Sequence, residues 1–199
     1  MSKFSRRTKI IAGFVLILVV GFGIVEFFNA ENNGVPQDFT DARQQGALIS
    51  ENIVNLSGQS TSELAQVNQL DAQGNYSQAL TITTNLINES EQLRNQAVSL
   101  SGQVEQMTKS LSNINSFPAQ QAALEAISSQ LALINQLVNY SADLSNLFDA
   151  LQNRFEGHSE TNAQIQSFVN QINTDVNAIN NFNAQATQAM SQFDTIEGK

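Results

Sequence analysis

The sequence predicts an all-α protein: an N-terminal transmembrane helix followed by an extracytoplasmic antiparallel four-helix bundle with a heptad-like core. Three observations predict it. An apolar run, opening on Ile10 and closing on Phe28, stands directly behind a basic tail. From Asp38 onward, apolar side chains recur at alternating spacings of three and four, which winds one stripe along each helix. Short turn signals divide that periodic region into four stretches, and no two-residue strand alternation appears.

The apolar run covers 19 residues. At about 1.5 Å per residue it matches a hydrocarbon core of roughly 30 Å. Lys3, Arg6, Arg7 and Lys9 precede it, whereas every Asp and Glu lies at or beyond Glu26. Cytoplasmic flanks are rich in Lys and Arg, so residues 1–9 read as a basic cytoplasmic tail and residues 10–28 as a signal-anchor in the lipid bilayer. A cleavable signal peptide would carry a shorter apolar core and a small-x-small site. The best such site ends at Ala30, with bulky Phe28 two residues before it, so the anchor is read as uncleaved. Residues 29–37, with Asn32-Asn33-Gly34 and Pro36, form a flexible spacer. Residues 38–199 form the bundle outside a cell membrane, bacterial in style, that the chain crosses once.

Charge layout limits the partners. Of nine basic residues four stand in the tail, leaving five against 18 acidic ones beyond it. So acidic a domain has no patch to neutralise phosphates, and nucleic acid is not an expected partner. The chain has no cysteine, which excludes disulfides, thiolate nucleophiles and Cys-ligated metals. Asn and Gln supply 46 of the 199 residues. Because the apolar residues are periodic rather than scattered, these amides read as the solvent faces of long helices, not as disorder.

The first stripe runs Phe39, Ala42, Gly46, Ile49, Ile53, Leu56, Ser60, Leu64, Val67 and Leu70. Asp71-Ala72-Gln73-Gly74 breaks it. The second runs from Tyr76 through Ala79, Thr83, Leu86, Ser90, Leu93, Ala97, Leu100, Val104 and Met107 to Leu111 and Ile114. Ser116 or Asn115 then caps a helix that opens near Pro118. The third stripe comprises Leu124, Ile127, Leu131, Ile134, Leu137, Leu144, Leu147, Leu151 and Phe155. Gly157-His158-Ser159 closes that helix, and Ser159-Glu160 opens the fourth. Its stripe is Ile165, Phe168, Ile172, Val176, Ile179, Phe182, Ala186, Met190 and Phe193. Helices of about 30 to 40 residues joined by short turns run antiparallel to their neighbours.

Gly46, Ser60, Thr83 and Ser90 fall on the stripes. They read as small residues that let helices approach or bond back to their own backbone. The other reading is a semi-polar ligand cavity, or a seam where helices part. No catalytic set emerges. His158, the single histidine, sits in a Gly-His-Ser turn and reads as solvated. Bundle metal sites need inward Glu and Glu-x-x-His pairs, which the chain lacks. Glu89 with Glu91, and Asp143 with Asp149, read as solvent-facing charge. No catalytic, cofactor-binding or metal residue is therefore assigned, and the chain is read as not an enzyme.

The stretch Asp71-Ala72-Gln73-Gly74-Asn75-Tyr76-Ser77-Gln78-Ala79-Leu80 resembles the turn and second-helix start of a tetratricopeptide hairpin. The resemblance implies that Gly74 makes the turn while Tyr76 and Ala79 pack the two helices. It covers ten residues, and the family's repeat of about 34 residues does not recur. In architecture the chain resembles the extracytoplasmic domains of bacterial chemoreceptors, but no second membrane helix follows Phe193. The expected function is a non-enzymatic, membrane-anchored interaction or scaffold protein of the cell envelope, with an envelope protein or further copies of itself as partner. The alternative is a sensor-like ligand-binding module that signals through a separate membrane protein.

Overall fold

The computed structural model describes Val25, Phe27, Phe28, residues 35–158 and residues 162–198. Among them stand four long helices: α1 (Gln37–Gln73), α2 (Tyr76–Ser110), α3 (Phe117–Phe155) and α4 (Asn162–Glu197). Their 35 to 39 residues give rods of roughly 50–60 Å. No strand occurs among the described residues. α1 packs on α2, α2 on α3, and α3 on α4.

Local chemistry explains each reversal. α1 ends at Gly74, whose φ of 74° is left-handed and suits a residue without Cβ. The Gly74 and Asn75 amides donate back to the carbonyls of Asp71 and Leu70, satisfying the last turn. After α2, a single 3-10 turn (Leu111–Asn113) leads to extended Ile114, which is buried. Ser116 then caps α3, its hydroxyl accepting from the Ala119 amide at 3.4 Å, and Pro118 occupies the first turn. α3 closes at Gly157, with φ of 88°. The expected opening of the fourth helix at Ser159-Glu160 lies outside the described residues.

The fourth side of the bundle, between α1 and α4, is wider at the backbone and is bridged by side chains at one end. There the Phe39 and Phe193 rings meet at 5.2 Å, and Arg43 pairs with Asp194 at 2.7 Å. This end gathers the start of α1, the end of α2, the start of α3 and the end of α4; it is termed proximal below. At the distal end Arg154 pairs with Asp71 at 3.0 Å, and Tyr76 stacks on Phe155 at 5.9 Å.

No described helix is long and apolar enough to cross a membrane. The expected anchor over residues 10–28 lies outside the described residues apart from Val25, Phe27 and Phe28, all helical. So do the tail (residues 1–9) and spacer residues 29–34. Gln37, expected to close the spacer, already opens α1.

The core follows the stripes with one shift of phase. In α2, every expected position from Ala79 to Met107 is buried. In the first half of α3, however, Leu124 and Leu131 are exposed, while Ala119, Ala122, Ala123, Ala126, Gln130 and Leu133 are buried. That half is apolar around much of its circumference, and its alanine side turns inward. Small side chains let the backbone approach its neighbours closely, gaining contact along the whole helix. Tyr76, expected in the core, is half exposed over Phe155.

Candidate interaction surface

The four soft positions are occupied rather than hollow. The Thr83 hydroxyl donates to the Ala79 carbonyl at 2.8 Å and the Ser90 hydroxyl to the Ile87 carbonyl at 2.7 Å, so both bond to their own helix. Ser60 donates across to Glu89 at 2.7 Å. Gly46 lies against the Phe28 ring, which would collide with a Cβ at this position. Gly46 is therefore not a close approach of two helices: on the wider side at the proximal end Phe27 and Phe28, 1% and 2% exposed, take that space. Arg43 fixes them there: its guanidinium donates to the Phe27 carbonyl at 3.0 Å while pairing with Asp194. The two rings meet edge to face at 4.6 Å.

Two carboxylates belong to helix interfaces: Glu89, expected on the solvent side, and Asp175. Glu89 is buried between α2 and α1, accepting from Ser60 and Gln59, with Glu63 beside it. Burial raises its pKa, only partly offset by the Ser60 hydrogen bond. Asp175, absent from the sequence reading, is buried between α4 and α3 at 1% exposure. Its Oδ1 accepts from Gln136 at 2.7 Å and Gln171 at 3.1 Å, while Oδ2 has no donor. Burial, reinforced by the Asp143 carboxyl beside it, pushes its pKa up to about 6. The same burial raises the Tyr140 phenol, with the Asp175 charge adding to it. Glu91 and Asp149 are exposed as expected, and Asp143 is half-buried. Periodicity misses Glu89 and Asp175 because each sits one position off an apolar stripe.

In each of these two clusters, carboxyl groups stand beside one another and accept from amides or a hydroxyl. His158 is exposed in its turn, 3.7 Å from Glu156. Among the described residues no group of three or more His, Asp or Glu could hold a metal ion. A groove of about 390 Å³ lies at the distal end between α1 and α2, lined by Gln66, Gln69, Leu70, Gln78, Thr81 and Ile82. It opens to solvent, and its polar lining is amide and hydroxyl without charge.

A different kind of feature lies on the outside of α3. Phe117, Leu124 and Leu131 are 74%, 53% and 40% exposed and stand seven residues apart. Seven residues return to nearly the same side of a helix, so the three form one stripe. Leu124 and Leu131 stand on the flank of α3 away from Gln136, whose partner Asp175 marks the α4 side. Val98 of α2, also exposed, stands half a turn from Glu89, whose partner Ser60 marks the α1 side. Both sets therefore border the outer groove between α2 and α3. Counted from the turn joining those helices, Val98 falls at a level between Leu124 and Leu131. From Phe117 to Ala142 the one charged residue is Glu125. No protein-family model, curated protein or solved structure matches the chain.

Proposed function

We propose that the chain is a non-enzymatic scaffold of the cell envelope, anchored by a single-pass transmembrane helix within residues 10–28 and presenting its bundle outside the membrane to a protein partner. The observation that carries this reading is the outer stripe of α3. Phe117, Leu124 and Leu131 leave apolar surface in water that the fold itself does not use. Depletion of charge around large apolar side chains is the compositional mark of an interface core. The rest of the design supports it. A rigid antiparallel bundle holds such a stripe straight over two heptads, which a loop does not. Phe27 and Phe28, expected as the last residues of the anchor, are seated in the proximal seam rather than in lipid, so the membrane-spanning part stops short of them and the bundle stands directly beside it.

Cross-linking in native membranes, followed by purification of the full-length protein and mass spectrometry of what accompanies it, tests the proposal. A reproducible envelope protein or a further copy of the chain is the expected product. Recovery of the protein alone, as a monomer, overturns the scaffold reading.

A further inference from the structure

We infer that the face of α3 carrying Phe117, Leu124 and Leu131 docks a second copy of this chain, with the two α3 helices side by side, parallel and in register. This rests on the scaffold reading and names the partner of its surface. Spacing comes first. Three large apolar residues at intervals of seven supply one of the two apolar positions of each heptad, and an identical helix presents the same residues at matching levels. A twofold axis along the pair places Leu124 opposite Leu124 of the second copy, and likewise the other two. Because α3 starts at the proximal end, this arrangement brings both proximal ends, and so both anchors, to one membrane.

Charge points the same way. The chain carries a net charge of −9, so two copies repel over most approaches. On the α3 stripe only Glu125 intervenes. α4 is as poor in charge, but none of the exposed large apolar side chains lies on it. Area agrees as well. With Val98 of α2, the three α3 residues leave roughly 400 Å² of apolar surface, judged from the size of such side chains. A standard interface buries about 800 Å² per partner, a little over half of it apolar, so the stripe supplies the apolar half of one. A bilayer surface is a poorer occupant: Leu124 and Leu131 stand roughly 10 and 20 Å above Phe117 along the helix, out of reach of a membrane that touches the proximal end.

The absence of cysteine makes the test direct. Phe117→Cys, Leu124→Cys and Leu131→Cys are introduced singly into the full-length chain, with Leu48→Cys on exposed α1 as control, and native membranes are oxidised. A disulfide forms only where Cβ atoms come within about 4.5 Å. The inference expects a covalent dimer at all three α3 positions and none at Leu48. Adding Leu124→Asp to Phe117→Cys should cut the dimer yield about tenfold or more, as a buried carboxylate pair requires. Dimer at Leu124 alone overturns the parallel register. Dimer at none of the three, or equally at Leu48, overturns the docking of a second copy. A chain that fails here yet brings an envelope protein with it in the native-membrane experiment loses this inference and keeps the scaffold reading.

Discussion

Replacing Asp175 by Asn should stabilise this protein at neutral pH, against the usual direction of core mutations. Ionised Asp175 is a poor fit: it is buried, Oδ2 has no donor, and its neighbour Asp143 is another carboxyl group. Its pKa of about 6 lies above the ordinary carboxylate range, so the folded chain holds this proton more tightly than the unfolded chain. The stability it contributes is therefore present at low pH and is lost as pH rises from about 4 through 6. A shift of about two units corresponds to at most ~3 kcal/mol, and screening around half-exposed Asp143 reduces that to about 1–2 kcal/mol. In the Asn variant Oδ1 still accepts from Gln136 and Gln171, and Nδ2 donates toward Asp143. Thermal unfolding of both proteins between pH 4 and pH 8 reads the effect. At about 2–4 °C per kcal/mol, the variant should melt about 2–8 °C higher at pH 7.5 and the difference should vanish near pH 4. An Asn variant no more stable than the parent at pH 7.5 would refute the argument.

Three further outcomes follow from named contacts. Gly46→Ala pushes a methyl group into the Phe28 ring and should cost about 1–3 kcal/mol by urea unfolding; in a Phe28→Ala background the cost should largely disappear, and equal costs in both would break the assignment. Gln130 is fully buried with both amide atoms unpaired, so Gln130→Leu should raise the unfolding free energy by about 1–3 kcal/mol while size-exclusion elution is unchanged. Ser116→Ala removes the cap of α3; the hydrogen bond is long at 3.4 Å, so a loss near the low end, about 0.5 kcal/mol, is expected in the same assay.

Much of this architecture is local chemistry. Helix-period stripes, left-handed Gly74 and Gly157, and the Ser116 cap before Pro118 each act over a few residues, so the sequence alone determines four helices and where they reverse. Position within the bundle is another matter. In α3 the alanine side and the leucine side are both apolar, and only the neighbouring helices decide which turns inward. The closer approach allowed by Ala119, Ala123 and Ala126 puts Leu124 and Leu131 outside, creating the surface on which the functional reading rests. Glu89 and Asp175 are buried by side chains about 30 and 40 residues away in sequence, which no local pattern registers. Gly46 read as a place for helix to approach helix; the tertiary structure gives that space to Phe28, because the wider side between α1 and α4 admits an aromatic ring. Periodicity along the chain specifies helices, whereas their phase and the company each side chain keeps depend on the sizes of residues far away in sequence.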